Sequence, residues 1–464
     1  MFGVIDSILL EFRPCFSRGA TFNWFCIILY GFVLRLDHQG ASSFIRWLFL
    51  DPQLYDPMLH FFRASSWHLE SIMAQWLRVV IERFPIIEFN GRPLIVGDGI
   101  KVAKEAWKMP AVKTLHQESN NSSKPEFIRG HHFGFVGLLV GSAKKAFCCP
   151  LQGELHEGVE GISPSEGLNG NPPTLITRMA RLVVRKASQM GRCCYVTLDA
   201  YFAVGPTFLV FKETVDESGR QLVHLITRAK DNTVGYFDWP EATKRYREKD
   251  KHPLIDFFDC PASFVEAPIT TYGLTRNIRY CCVDLLWKPI QSLVRFVLVI
   301  DGKGRYILMC SDLELDPVQI IMIYSFRAKI ESMFLVIKHL LGAFSYHFWT
   351  KAYPVLKRGQ QLDASALCVH QVEKMRAAVR AIEAFVNLAA ITLGLLQYLS
   401  LSRGAKIWDS YQGWLRTYSS DLPSEGVVQS VLQAEFFASR EVPSDGTLRL
   451  IRTRGRETPL ERAA

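Results

Sequence analysis

The chain has no Cys-x-x-Cys ladder and no zinc-type Cys/His spacing, although it carries eleven cysteines and twelve histidines. The pairs Cys148–Cys149, Cys193–Cys194 and Cys281–Cys282 are adjacent, and the other cysteines are scattered. That pattern excludes a zinc ribbon, a zinc finger and a regular disulfide scaffold. Thiols in apolar, strand-like runs read instead as small buried hydrophobes in a reducing cytoplasm. His131 and His132 are neighbours without ligand spacing and are expected to be structural. Internal repeats and low-complexity tracts are absent. So is an uninterrupted apolar run of the roughly 18 to 20 residues that a membrane span needs. Phe22–Leu34 is too short, and Ala381–Leu401 is broken by Glu383, Asn387 and Gln397. Both are expected to be buried helices, with no membrane partner. The N-terminus lacks a signal-peptide pattern, since Asp6 and Glu11 interrupt it and no cleavage motif follows.

Acidic residues are locally scarce. Gly167 to Leu198 holds five Lys/Arg and no Asp/Glu, and Gly91 to Lys145 holds nine against four, a net of +5. The whole chain, with 54 basic and 45 acidic residues, carries +9. Arg178, Arg181 and Arg185 fall on one face of an expected helix. Two basic runs around one candidate core favour a surface that contacts phosphate.

What is present is a long, apolar, mixed chain. Its 464 residues are 48% apolar, enough for a sizeable core and for several domains or one domain with insertions. Residues 1–90 show helical apolar spacing interrupted by two Asp-Pro pairs. From Arg92 the texture changes to three strands ("PLIVGDG", "HFGFVGLLVG", "AFCCPLQGEL"), a helix with Pro near its start and Gly at its end ("NPPTLITRMARLVVRKASQMG"), a strand ("CCYVTLDAYF"), a helix-like stretch ("VGPTFLVFKETVDESG") and a strand ("QLVHLITRAK"). Residues 236–310 read as all-β, with a hairpin signal at "DGKG". Residues 346–464 read as mostly helical, with an Arg-rich tail after Pro443. The expected class is α/β: a ribonuclease H-like core over 91–235, completed by a helix within 311–345, interrupted by an all-β insertion over 236–310 and flanked by helical N- and C-terminal regions.

The stretch "IYSFRAKIESMFLVIKHLLG" (323–342) is apolar yet carries Tyr324, Arg327, Glu331 and Lys338. At about 100° per residue these four lie within about 60° of one another on a helix. Asp316 is its expected N-cap, Pro317 suits the first turn and Gly342 the end. Taken alone, Arg327 and Glu331 are an ordinary i,i+4 ion pair. Two further acids follow apolar runs, Asp98 after the first strand and Asp199 after the fourth. In the expected strand order these strands lie side by side, so both acids enter one cleft, closed by the helix of Glu331. Three converging carboxylates repel one another, and hard divalent cations such as Mg²⁺ relieve that repulsion.

With "PLIVGDGIKVAKEAWKMPAVKTLHQESNNSSKP", "TLDAYFAVGP", "LITRAKDN" and the spaced Tyr324, Arg327, Glu331 and Lys338, the chain resembles DDE transposases of bacterial insertion sequences. The match is to the cut-and-paste group marked by Y-x-x-R-x-x-x-E-x-x-x-x-x-x-K, over roughly residues 85–350. The resemblance implies that Asp98, Asp199 and Glu331 hold two Mg²⁺ ions, with Mn²⁺ as a substitute, and that Tyr324, Arg327 and Lys338 contact DNA phosphates. It implies an endonuclease and strand transferase acting on double-stranded DNA at its element's ends and at a target, with hairpin intermediates. The expected state is a homodimer in the synaptic complex, in a bacterial cytoplasm at the nucleoid. Residues 1–90 are then expected to bind ends or to dimerise. The chain departs from relatives that place Trp beside the signature, since position 328 is Ala; Trp287 is the nearest upstream aromatic of that kind and reads equally well as core. A catalytically inactive, transposase-derived DNA-binding protein is the alternative.

Overall fold

Five helices precede the first long strand: α1 (Phe2–Leu10), α2 (Gly19–Leu34), α3 (Ser42–Trp47), α4 (Tyr55–Arg63) and α5 (Leu69–Arg83). The computed structural model describes residues 1–117, 125–159, 162, 173–237, 251–302, 304–355, 362, 363, 366–417, 422–439, 441, 443 and 445–455. α2 is buried on almost every side from Phe25 to Leu34, which is why its sequence shows little amphipathic pattern. Neither Asp-Pro pair ends a helix, since α3 has already stopped at Trp47. Asp51 caps a 3₁₀ turn at Pro52–Leu54, whereas Pro57 sits in the first turn of α4, where its missing N–H costs nothing.

The strands are β1 (Glu88–Phe89), β2 (Arg92–Ala103), β3 (Lys113–His116), β4 (Phe127–Gly141) and β5 (Ala146–Leu155). After helix α6 (Leu175–Met190) come β6 (Cys194–Thr197), helix α7 (Gly205–Glu213), β7 (Val223–Arg228), β8 (Val234–Tyr236) and β9 (Lys251–Pro253). Then come β10 (Val265–Thr271), β11 (Leu274–Trp287), β12 (Ser292–Asp301) and β13 (Gly304–Cys310). All thirteen strands of the described residues belong to one mixed sheet. Its first half runs β5-β4-β2-β6-β7: β4 is antiparallel to β5 and β2, while β6 is parallel to both β2 and β7. The expected insertion does not form a sheet of its own. β13 pairs with β7, and the order continues β13-β12-β11-β8-β9. Residues 238–250 and position 303 of the "DGKG" hairpin lie outside the described residues, as do 171–172 of the α6 sequence and the chain beyond 455.

α6 begins at a reciprocal Thr174/Thr177 cap and ends at left-handed Gly191. It covers one sheet face, where a Cβ on Gly97 would meet Met179. The opposite face carries the signature helix. It is not one α-helix but α8 (Pro317–Ser325), a 3₁₀ turn over Phe326–Ala328, and α9 (Lys329–His339). Asp316 caps α8 by accepting the Val318 and Gln319 N–H groups.

Three C-terminal helices follow among the described residues: α10 (Val369–Ser410), α11 (Glu425–Ala438) and α12 (Gly446–Arg452). α10 holds the one stretch, among the described residues, long and apolar enough to cross a membrane, and 89% of that window is buried inside the protein. α10 to α12 interleave with α2. Gln429 and Gln433 Nε2 donate to the Val33 carbonyl at 3.0 and 3.1 Å, and Asp6 accepts from Tyr30 and from the Thr447 amide. The chain is thus a mixed α/β protein with a large mixed sheet and helical N- and C-terminal regions packed together.

The polar breaks in α10 have one cause. Among the described residues β5 is an outer strand with no further strand along that edge, so its backbone groups need other partners. Asn387 exchanges two hydrogen bonds with Gly153, at 2.9 and 2.8 Å. Glu383 accepts from the Leu155 N–H at 2.9 Å, and Gln397 donates to the Cys148 carbonyl at 3.2 Å. Trp76 of α5 adds a bond to the Pro150 carbonyl at 2.8 Å, and its ring lies so close to Gly394 that no Cβ would fit there.

Candidate functional site

Asp98 lies mid-strand rather than at a strand end, because β2 runs on to Ala103 beside β4. The parallel partner is what stops short. β2 and β6 pair from Leu94↔Tyr195 to Val96↔Thr197. Two residues further along the same register stand Asp98 and Asp199. Strand alternation puts Asp98 on the face opposite Gly97, away from α6 and toward α9. Asp199 lies just past the end of β6 and caps a 3₁₀ turn, accepting the Tyr201 N–H at 3.0 Å. Thr227 of β7 donates to the Asp199 carbonyl at 2.8 Å and ties it to the neighbouring strand.

Arg327 meets these acids from the other element. Its guanidinium donates to Asp98 Oδ2 at 3.0 Å and to Glu331 Oε1. Asp98 and Arg327 are about one-fifth exposed and Glu331 more than half. The Asp98 carboxyl is pushed up to about 6, by burial first and then by the charge of Asp199, with Glu331 adding to it; Arg327 and the Gly99 N–H pull the other way. Burial works against the Arg327 charge, but Asp98, Tyr324, Glu331 and Asp199 together raise its affinity for the proton. Burial raises the Tyr324 phenol, opposed by Arg327 and Arg228 and helped by Asp199 and Asp98. The pattern is a cluster of like charges held around the Arg327 guanidinium, with Arg228 near Tyr324.

The structure therefore brings Asp98, Asp199, Tyr324, Arg327 and Glu331 into one electrostatic neighbourhood. Lys338 is exposed, two turns beyond Glu331 on α9. Among the described residues, no group of three or more His, Cys, Asp or Glu side chains is gathered as a metal cage. Arg327 spans Asp98 and Glu331 in the arrangement seen. The donors themselves are carboxylate oxygens with raised mutual repulsion, which is the ligand chemistry of a hard divalent cation. In kind, the residues fit Mg²⁺.

Other expectations change. Arg178, Arg181 and Arg185 do not form an open basic face. All three are half-buried, and Arg185 is ion-paired with Glu154 of β5. Lys186 is fully buried beside them. Trp287 is a core aromatic, 6% exposed and edge-on to Phe208 at 5.1 Å. The adjacent cysteines Cys148 and Cys149 are buried, in line with a packing role, whereas Cys282 is exposed.

Several contributing residues carried no sequence signal strong enough to single them out. Arg228 ends β7 and acts on Tyr324. Arg35, buried in the helical layer, donates to the Leu341 and Gly342 carbonyls just past α9, and His38 Nε2 lies 3.0 Å from the Leu340 carbonyl. Burial lowers Arg35 to about 9. Lys104, likewise lowered to about 8 by burial, donates to the Phe344 and Tyr346 carbonyls. Three side chains distant in sequence thus clamp the turn just after the signature helix. Compared with protein-family models and with curated proteins, the chain matches none.

Proposed function

We propose that the protein is a DNA transposase of the DDE type, a metal-dependent endonuclease and strand transferase acting at the ends of its own element. One observation carries this reading. Asp98 on β2 and Asp199 just past the end of its parallel neighbour β6 each stand two residues beyond the last paired position, and the helix of Glu331 is tied to Asp98 through Arg327. The strand order β5-β4-β2-β6-β7, with β2 parallel to β6, is that expected of a ribonuclease H-like core and supports the same reading. β8 to β13 are then the insertion between the second aspartate and the glutamate, built onto the core's sheet edge.

Asp98, Asp199 and Glu331 would hold the metal. Bound divalent cations supply charge neutralisation and activation of the attacking oxygen at a phosphodiester. The chain's own residues do the rest by positioning. Asp98 and Asp199 are fixed by the sheet and by backbone N–H groups. Arg327 can present two parallel donors to a phosphate, which a carboxylate-bound guanidinium is already shaped to do. Tyr324 offers a hydroxyl and a packed ring, and Lys338 an exposed ammonium for the flanking backbone. The substrates are double-stranded transposon ends and target DNA, bound by a homodimer.

The test uses the purified chain with labelled element-end DNA and Mg²⁺ or Mn²⁺. Asp98→Ala, Asp199→Ala and Glu331→Ala should each abolish nicking and strand transfer while end binding persists, because Lys and Arg provide most DNA affinity. Near-wild-type cleavage by any one variant removes that residue from the site. Binding without cleavage by the wild-type protein would instead support an inactive, transposase-derived DNA-binding protein.

A further inference from the structure

Tyr272 stands at the tip of the β10–β11 hairpin. Thr271 pairs with Leu274, so Tyr272 and Gly273 form a two-residue turn, and both are left-handed, with φ of +54° and +79°. In such a turn Asn, Asp or Gly is favoured at the first position, because other side chains are strained there. The chain obeys that preference at Asn90–Gly91, between β1 and β2. A tyrosine held in the same backbone conformation points to a use for its side chain.

That side chain reaches the signature helix. The Tyr272 hydroxyl donates to the Ser325 carbonyl at 2.8 Å. Its ring packs edge-on against Phe326 at 5.3 Å, and the Lys329 ammonium lies 4.8 Å from its centroid. In an unbroken α-helix the Ser325 carbonyl would accept from the Lys329 N–H. Here that N–H turns to the Phe326 carbonyl, and Phe326–Ala328 wind as a 3₁₀ turn. In that turn the Ser325 carbonyl accepts the Ala328 N–H instead, and the tyrosine hydroxyl takes its second acceptor position.

We propose that Tyr272 is a positioning residue: the hairpin tip holds the 3₁₀ turn and thereby sets where Arg327 stands between Asp98 and Glu331. Its consequence for DNA cleavage rests on the transposase reading above. A 3₁₀ turn advances about 120° per residue against about 100° for an α-helix, so three residues shift the azimuth of α9 by about 60°. Without the latch the turn can relax to α, and Glu331 swings relative to Tyr324 and Arg327. Tyr272 touches no reacting atom and acts through those two side chains.

The experiment compares wild type, Tyr272→Phe and Tyr272→Ala as full chains. Hydrogen exchange is monitored by mass spectrometry in chelator, without DNA, and nicking of end DNA is measured in parallel. Tyr272→Phe keeps the ring and loses only the hydroxyl. Its amides over 325–331 should exchange about five-fold faster, the effect of losing one net hydrogen bond. Peptides over 274–287 and 292–301 should keep wild-type protection, which shows that the hairpin is still folded. Nicking should slow with end binding unchanged, and Tyr272→Ala should exceed the Phe variant in both effects. Unchanged exchange over 325–331 in both variants overturns the latch, whatever the activity. Faster exchange with a wild-type nicking rate overturns the positioning role. If the wild-type chain cuts no DNA, the transposase reading fails separately and the exchange result still decides the latch.

Discussion

Replacing Asp98 with Asn should make the metal-free protein more stable at neutral pH. Burial and the neighbouring Asp199 raise the Asp98 carboxyl from 3.8 to about 6 even with Arg327 beside it. The shift already includes the benefit of the ion pair, so ionising this group in the folded protein is a net cost. The folded form holds the proton more tightly than the unfolded chain, so stability falls as pH rises from about 4 to about 6. Two pH units correspond to at most about 3 kcal/mol, at about 1.4 kcal/mol each. The side chain is only about one-fifth exposed, so most of this survives solvent screening. Asn keeps the size of the side chain and an acceptor for the Gly99 N–H, and it carries no charge. The assay is urea unfolding of both full-length proteins in chelator at pH 5 and pH 8. From the titration curve, the advantage of the Asn variant should widen by about 1.5 kcal/mol between those two pH values. Adding Mg²⁺ at pH 8 should then stabilise the wild type and leave the variant unmoved. An Asn variant less stable than wild type at pH 8 would refute the reasoning. Asp98 would then be a structural partner of Arg327 rather than an acid held at a cost for a cation.

Two further outcomes are expected from the same structure. Glu383 is pushed up to about 8 by burial, Glu154 and Glu70, against the Leu155 N–H; its stabilising proton is therefore lost as pH rises from about 4.5 through 8. Glu383→Gln should remove that loss and raise the unfolding free energy from urea titration at pH 8.5, by no more than about 5 kcal/mol, with a much smaller change at pH 5. Gly342 has φ +57°, and an added Cβ would stand 2.6 Å from His38. Gly342→Ala should therefore lower stability by about 1–3 kcal/mol, read as a lower unfolding midpoint.

The sequence legibly marks its elements where local chemistry decides them. Asp316 and Pro317 start α8, Gly191 ends α6, and the spacing of Tyr324, Arg327 and Glu331 survives into one neighbourhood. It is silent where a distant partner decides. Nothing in "SFRAK" announces a 3₁₀ turn, because the hydroxyl beside it comes from residue 272. The α6 arginines look like an open basic face until Glu154, on another element, draws Arg185 inward. Asp98 reads as the end of a strand because glycines flank it, yet those glycines are where Leu198 and His132 pack closely against the sheet. The encounter of Arg327 with Asp98 joins residues 229 apart, which no local period can reveal. The polar breaks in Ala381–Leu401 are plain in the sequence and argue against a span; their partners on β5 are not.

The sealing of β5 by α10 also sets a timetable for synthesis. The strand is complete at Leu155, but the side chain that closes its far end, Gln397, is made about 240 residues later. At about 5–20 residues per second the unpaired backbone emerges from the ribosome some 10–50 s before its cover exists. During that window it is a template for any other extended chain, including the same strand on a neighbouring nascent copy. A product truncated before α10 would keep that template indefinitely. Premature termination of this gene should therefore yield inclusion bodies rather than a soluble N-terminal fragment.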